Sequence, residues 1–301
     1  MDRLRCSELV LSEWLQYVFV IFYKNGYSKN YIKQTIGIQN LDLTSMLANE
    51  RIPIPPPDEQ QRIASFLDDK CARIDSVIEK TRASVEEYKK LNQALITRAV
   101  TKGIRPNRPM KQSGVEWLGD IPADWTALAL KYLCTMQSGK NLVSEQIADT
   151  GNYPVYGGNG QRGFFDDYNC EGKKLLVGRQ GALCGNVHRV TDKFWATEQA
   201  VITENTEHCD IDFLYYLLIG MNLNQYVSST AAQPGLAVST IQNIKTCLPP
   251  LEEQKEIAAY LDGKTAAIDS LIARKNQLVT ELESLKKSLI FEYVTGKREI
   301  I

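Results

Sequence analysis

The sequence predicts an α+β protein in which a globular domain of mixed strands and helices is combined with two long helices packed as an antiparallel coiled coil. Three observations carry this expectation. A 47-residue segment occurs twice without gaps, at residues 55–101 and 249–295, with twenty-one positions identical. Each copy shows the alternating three-and-four apolar spacing of a coiled-coil seam behind a proline cluster. Between the copies lies a stretch rich in glycine, aromatic and β-branched residues in short runs, which reads as strands and turns.

Composition sets outer bounds. The 301 residues, 44% hydrophobic and 24% charged, suffice for two compact units plus connecting elements. The most apolar stretch, Trp14 to Tyr23, is far shorter than the roughly 20 residues a membrane span needs and reads as a buried helix. The first residues lack the basic, apolar and small-residue regions of a secretory signal, so a cytoplasmic protein is expected. Seven scattered cysteines without a C-x-x-C pair read as reduced thiols. His208 beside Cys209 and His188 after Cys184 have no companions that would complete a tetrahedral site, so no metal is expected. The net charge of −1 argues against a large basic groove.

In chain order, residues 1–54 echo only the tail of the central domain. Leu15 to Phe22 resembles Leu214 to Met221, and Ile38-Gln-Asn resembles Ile241-Gln-Asn ahead of each proline cluster. Residues 55–104 then form the first long helix, about 43 residues or roughly 65 Å at 1.5 Å per residue. Prolines bar its backward extension, and Asp58-Glu59, like Glu252-Glu253 in the second copy, place negative charge on the first turn, where the macrodipole favours it. The expected seam uses Leu67, Ile74, Val77, Leu91 and Leu95 in the first copy. In the second it uses Leu261, Ile268, Leu271, Leu278, Leu282, Leu285 and Leu289, with Lys264 and Lys275 in the same frame. So long a seam needs a partner, and the other copy, packed antiparallel, is the simplest one. Gly103 to Met110 breaks the periodicity as a linker. Residues 105–248 form the central domain, with strands at Lys174-Leu-Leu-Val-Gly and Gln199-Ala-Val-Ile-Thr and an apolar helix from Asp210 to Met221. Residues 249–301 hold the second helix.

Three sets of residues together resemble a known family. They are the proline cluster followed by Glu-Gln and Ile-Ala-x-Phe/Tyr-Leu-Asp, the segment Ser113-Gly-Val-Glu-Trp-Leu-Gly-Asp-Ile-Pro122, and Tyr153-Pro-Val-Tyr-Gly-Gly-Asn-Gly160. In this order they look like the specificity subunit of Type I restriction-modification systems. The resemblance implies two target-recognition domains, each reading half of a split site in double-stranded DNA. Two conserved helices would act as a ruler and dock methyltransferase subunits, and a restriction subunit, the motor-nuclease, would join that core. On this pattern residues 1–54 are a remnant of the first target-recognition domain and residues 105–248 a complete one. The subunit itself is implied to be non-catalytic and to carry no cofactor, with S-adenosylmethionine, ATP and Mg expected on the partner subunits.

Base edges are read mainly by Arg, Lys, Asn and Gln presented on loops. The candidates for DNA contact are Lys140 after a strand, Asn159, Gln161 and Arg162 in a glycine-rich turn, Arg179 and Gln180 in another, and Lys173 and Lys174 as phosphate contacts. Thr230 and Gln233 are added because the resemblance places them near the recognition surface. No Asn-Pro-Pro-Tyr or Asp-Pro-Pro-Tyr methyltransferase tetrapeptide and no phosphate-binding loop occurs. Asp167 with Glu171-Gly-Lys173 has the form of a nuclease metal site, which keeps an autonomous nuclease open as an alternative. Another alternative is a truncated coiled-coil assembly piece, or a recombination-derived half-subunit that acts only after two copies self-pair.

Overall fold

The computed structural model describes residues 6–35, 38–180, 184–227 and 235–300. They fall into two compact units, residues 1–87 with 270–301 and residues 88–269, and each long helix contributes to both. The expected boundaries follow the ends of the long helices, whereas the division into compact units passes through each helix.

In the first unit, α1 (Ser12–Lys24) is followed by a hairpin of β1 (Ile32–Thr35) and β2 (Ile38–Leu41), a short α2 (Leu43–Asn49) and the start of α3 (Pro57–Lys102). Trp14, Val18, Ile21 and Phe22 form the apolar face of α1, and they pack with Leu67 and Cys71 of α3 and with Ile290 and Tyr293 near the chain's end. The stretch Trp14 to Tyr23 is thus a helix buried along one face, with Gln16 and Tyr23 exposed.

In the second unit, β3 (Met110–Gln112) pairs with β4 (Asp120–Pro122), and β5 (Thr126–Ala129) opens the domain proper. There follow β6 (Cys134–Ser138), β7 (Tyr153–Gly157), β8 (Gly160–Phe165), β9 (Cys170–Glu171), β10 (Lys174–Gly178), β11 (Val187–Val190), β12 (Lys193–Ala196) and β13 (Ala200–Asn205). They make two four-stranded sheets, β11-β10-β13-β6, which is antiparallel throughout, and β8-β7-β12-β9, in which β7 and β12 run parallel. Alternation along a strand sends successive side chains to opposite faces. Leu175 and Val177 of β10 accordingly join the core with Phe213 and Leu214 of α4 (Ile211–Gly220), whereas Leu176 joins Phe194 and Ile202 on the other face. The chain continues through α5 (Val238–Asn243) and β14 (Lys245–Leu248), which pairs with β5, into α6 (Leu251–Val294).

The long helices run antiparallel, as the sequence predicts. In the first unit Lys286 pairs with Asp75 at 2.6 Å and Glu283 with Arg82 at 2.6 Å, so α6 numbers fall as α3 numbers rise. In the second unit Ile96, Ala99 and Val100 share a core with Ile257, Ala258 and Leu261.

The seam itself needs correction. Leu67 and Leu261 are buried and Ile74, Ile268, Leu282, Leu95 and Leu289 half-buried, but Val77, Leu91, Leu271, Leu278 and Leu285 are 40–54% exposed. At alternate steps the inward position is one residue later: Cys71, Ile78 and Val85 on α3, and Ile272, Val279 and Lys286 on α6 are the more enclosed. Leucine abundance pointed to the wrong one of two adjacent stripes. Lys286 can occupy the inner stripe because Asp75 meets its ammonium, and Thr265 because its hydroxyl donates to the Leu261 carbonyl at 2.8 Å.

The same side-chain device begins both long helices. Gln60 is fully buried; its amide donates to the Pro55 carbonyl at 2.7 Å and the Leu9 carbonyl at 2.8 Å, and its Oε1 accepts from the Leu11 amide at 2.8 Å. Gln254, 194 positions later, donates to Pro249 at 2.9 Å and His208 at 3.0 Å and accepts from the Asp210 amide at 2.7 Å. Each glutamine therefore ties the approach to α1 or α4 to the proline turn of α3 or α6. Asn49 and Asn243 repeat a further bond, donating to Ser45 and Ser239 at 2.8 and 2.9 Å. The last bond corrects the expected Ile-Gln-Asn correspondence: Ile38–Asn40 lies in β2, and the counterpart of Ile241–Asn243 in α5 is Leu47–Asn49 in α2.

Each buried group left without a partner costs about 1–3 kcal/mol. Gln60→Ala, which leaves two carbonyls and one amide unpaired, should therefore destabilise the first unit, and Gln254→Ala the second, by about 3 kcal/mol or more. Hydrogen exchange checks this: amides of α1 should lose protection in the first variant and those of α4 in the second.

Candidate nucleic-acid interface

Glycines build one rim of the second unit's sheets. After β6, Gly139 donates its amide to the Ala200 carbonyl at 3.0 Å and Lys140 donates to Ala196 at 3.0 Å. A Cβ on Gly139 would strike the carbonyls of Ala196 and Thr197, and one on Gly178 the carbonyl of Gly158, so at both places main chain passes main chain at a distance only glycine allows. Arg179, just past β10, donates its amide to Gln199 at 3.1 Å, and Gln180 bridges to Gly235. The β7–β8 hairpin turns through Gly158 and Asn159, and Thr197 donates to the Tyr156 carbonyl at 2.9 Å.

Lys140, Asn159, Arg162, Arg179 and Gln180, which lie on three segments, are thereby gathered around the turn from Ala196 to Ala200. Lys140, Asn159, Gln161, Arg162 and Gln180 are exposed, and Arg179 is half-buried, held by a bond from its Nη1 to Ser138 Oγ at 2.7 Å. Arg162 reaches Ser144 Oγ at 3.5 Å. His188 lies against Gly160; burial pushes its imidazole pKa down, which favours the neutral ring. The turn adds two groups the sequence reading did not single out: Thr197 Oγ1 and Glu198 Oε2 are buried and have no hydrogen-bond partner among the described residues. A polar run between two short strands was the available signal.

Lys173 and Lys174 sit at the opposite end of β10 from Arg179. They are engaged in ion pairs, Lys173 with Asp212 of α4 at 2.6 Å, which fastens the sheet to that helix, and Lys174 with Glu204 of β13 at 2.9 Å, which acts within the sheet. Thr230 and Gln233 lie outside the described residues. Of the nuclease-like set, Asp167 accepts from the Tyr168 amide at 2.8 Å and Lys173 is committed to Asp212. Among the described residues no group of three His, Cys, Asp or Glu is arranged to hold a metal.

The family model for the Type I restriction modification DNA specificity domain matches residues 10–87 and 122–281. The chain belongs to that family. Within this specificity family, it is 40% identical over 157 residues to the EcoprrI specificity subunit of Escherichia coli, an alignment covering 51% of this chain and 37% of that one. It is 27% identical over 301 aligned positions to the MjaVIII specificity subunit of Methanocaldococcus jannaschii, covering 91% of this chain and 68% of that one. The chain thus spans little more than a third of the bacterial relative's length and about two thirds of the archaeal one's. A solved structure from work on complex assembly and conformational transition of the type I R-M system shares the fold, with a TM-score of 0.70 at 19% identity, over 95% of this chain and 71% of that one.

Of the family-marking residues, Glu253 in the Glu-Gln pair of α6 is architectural. Trp125, fully buried, donates to Glu253 Oε2 at 3.1 Å, and Arg108 bonds both Glu253 and, at 2.6 Å, Asp124. The Asp-Trp ahead of β5 and the Glu-Gln that opens α6 are thus one cluster.

Arg189 of β11 joins the sheet to the helices, with Nη1 2.9 Å from Asp262 Oδ1. Burial acts to raise the Asp262 pKa, but hydrogen bonds from Tyr216 and Arg189 outweigh it and hold the carboxyl below its ordinary range. Burial and the same Tyr216 bond push the phenol up to about 12. A depressed carboxyl pKa contributes stability that is present above the unfolded value, near 4, and lost as pH falls through the folded value. The stability difference between the wild type and Asp262→Asn should therefore stay level above about pH 5 and shrink in more acidic solution, as read by chemical denaturation across pH.

Proposed function

We propose that this chain is the DNA-reading, non-catalytic specificity component of a Type I restriction-modification complex. The gathering of Lys140, Asn159, Arg162, Arg179 and Gln180 on one glycine-built rim, in a member of the specificity family, carries this reading. A rim pinned by main-chain bonds holds its donors at fixed separations, which base-edge recognition requires. Arg179, steadied by Ser138, suits a guanine edge, where a bidentate arginine contact is the commonest specific pairing. Lys140 and Arg162 suit phosphates, which supply affinity and salt dependence.

Methyltransferase subunits would dock on the long helices. The exposed leucines Leu271, Leu278 and Leu285 recur every seven residues beside the inner stripe, so the apolar arc of α6 is wider than its pairing with α3 consumes. A motor-nuclease subunit would join that assembly. S-adenosylmethionine, ATP and Mg would be held by these partners. No helix among the described residues is long and apolar enough to cross a membrane.

Methylation-site sequencing of cells with and without the chain, alongside its methyltransferase subunits, tests the reading: one motif should depend on the chain. A preparation that neither joins the methyltransferase nor shifts any duplex sinks it. Arg179→Ala should relax one position of the motif and cost about 1–3 kcal/mol in DNA affinity. Lys140→Ala should weaken all duplexes alike and make the slope of log K against log salt shallower by about 0.9, measured by anisotropy titration. Changing Leu271, Leu278 and Leu285 together to Gln should lower methyltransferase affinity at least about tenfold with the chain's own melting point unchanged, since partly exposed side chains contribute little to its core.

A further inference from the structure

The turn between β12 and β13 is held from three sides, and it carries a carboxyl group with no task among the described residues. Thr197 to Ala200 form a β-turn closed by the Ala200 amide, which donates to the Thr197 carbonyl at 3.0 Å. Glu198 and Gln199 are its central residues. Main chain from three other segments pins it. Gly139 and Lys140, after β6, donate to Ala200 and Ala196 at 3.0 Å each. Arg179, after β10, donates to Gln199 at 3.1 Å, and the Tyr156 carbonyl of β7 accepts from Thr197 at 2.9 Å.

Glu198 is half-buried at the head of this turn. Its Oε2 is enclosed without a hydrogen-bond partner, and no bond or ion pair reaches its Oε1 among the described residues. The cations of the rim are turned elsewhere: Arg179 Nη1 donates to Ser138 Oγ at 2.7 Å and Arg162 Nη2 to Ser144 Oγ at 3.5 Å, while Lys140 is exposed. The free chain therefore gains no hydrogen bond from Glu198 and carries the desolvation cost of an unpaired oxygen. A carboxylate on a surface that meets phosphates also weakens every non-specific encounter. A group unfavourable on both counts calls for a contact that offsets them and that only one kind of ligand can make.

We propose that Glu198 is a specificity-determining acceptor of the rim, taking a hydrogen bond from the exocyclic amino group of one cytosine in the major groove. The inference rests on the DNA-reading proposal. The side chains of Lys140, Arg162 and Arg179 present only donors, which suit phosphates and the acceptor atoms of guanine and thymine. Cytosine offers the opposite, an amino donor, and a carboxylate is its fitting partner. Guanine and thymine would set a carbonyl oxygen against the carboxylate, so they are rejected by repulsion as well as by a missing bond. Adenine has an amino group too, but the ring nitrogen beside it is an acceptor, and a carboxylate has no donor to give it. A turn pinned by main-chain bonds suits this role, because discrimination needs the acceptor held to within about half an ångström.

The test presents the full chain, with its methyltransferase subunits, to a library of duplexes randomised in sequence and reads the bound fraction by sequencing. The wild type should require cytosine at one position that responds to Glu198. Glu198→Ala should relax that position alone, by at least about fivefold, and Glu198→Gln should shift it towards adenine, whose edge an amide matches with both a donor and an acceptor. An analogue of that cytosine lacking the amino group should weaken the wild type by about the same factor and leave Glu198→Ala unaffected, since both changes delete one interaction. The slope of log K against log salt should be alike in all three proteins. Glu198→Gln should melt no lower than the wild type, because Glu198 makes no bond in the free chain; a lower melting point would mark a structural residue and overturn the inference. Preferences unchanged in both variants, affinity altered alike for every duplex, or a responding position that is not cytosine would refute the role of Glu198 while the DNA-reading proposal stands. A wild type without preference at any position would overturn both.

Discussion

A buried glutamine side chain holds each half of this molecule together. Gln60 and Gln254 each satisfy two carbonyls and one amide where three stretches of main chain meet: the approach to a short apolar helix, the proline turn and the first turn of a long helix. Main-chain polar groups removed from water must be paired, and prolines cannot donate, so at these junctions a side chain has to do it. An amide fits because it offers donors and an acceptor at one end of a flexible stem. Glutamate in the same place could accept but not donate, and would bring a charge into the interior.

From those junctions the rest of the architecture follows. The clamp sets α4 against α6; Tyr216 and Asp262 extend that contact; Arg189 then locks the sheet to both helices. Trp125, Arg108 and Glu253 close the other side of the α6 start. The glycine rim stands at the far ends of strands whose near ends are fixed to α4 by Lys173 and within the sheet by Lys174. Donors can be presented rigidly at one end because charge pairs and packing immobilise the other.

Much of this was legible in the sequence. The duplication, the prolines, the Glu-Gln pair and the antiparallel partnership came from an ungapped repeat and from helix-start chemistry, which are local signals. The loop residues Lys140, Arg162 and Arg179 were found through adjacent glycines, but their convergence depends on strand order, and β7 beside β12 is a pairing that no local pattern encodes. The seam frame was misread because α6 carries two apolar stripes side by side, and only the partner helix decides between Leu278 and Val279. Lys173 and Lys174 show their charge in the sequence, whereas Asp212 and Glu204, the carboxylates folded against them, stand about 30 to 40 positions further on and no local pattern joins them.

One difference between the halves lies at a single position. Gly220 lets the end of α4 rest directly on α3, where Thr97 donates to its carbonyl at 3.2 Å and Gln93 to that of Ile219 at 3.0 Å; a Cβ there would meet Val100. Ile21 occupies the matching place in α1, beside a groove of about 850 Å³ lined by Tyr17, Asp75 and Lys286. One helix end is therefore held through its main chain, and a side chain there would have to displace Val100. The other is held through a side chain, so sequence drift at residue 220 costs a repacking of Val100, while at residue 21 it is tolerated within the limits of aliphatic volume.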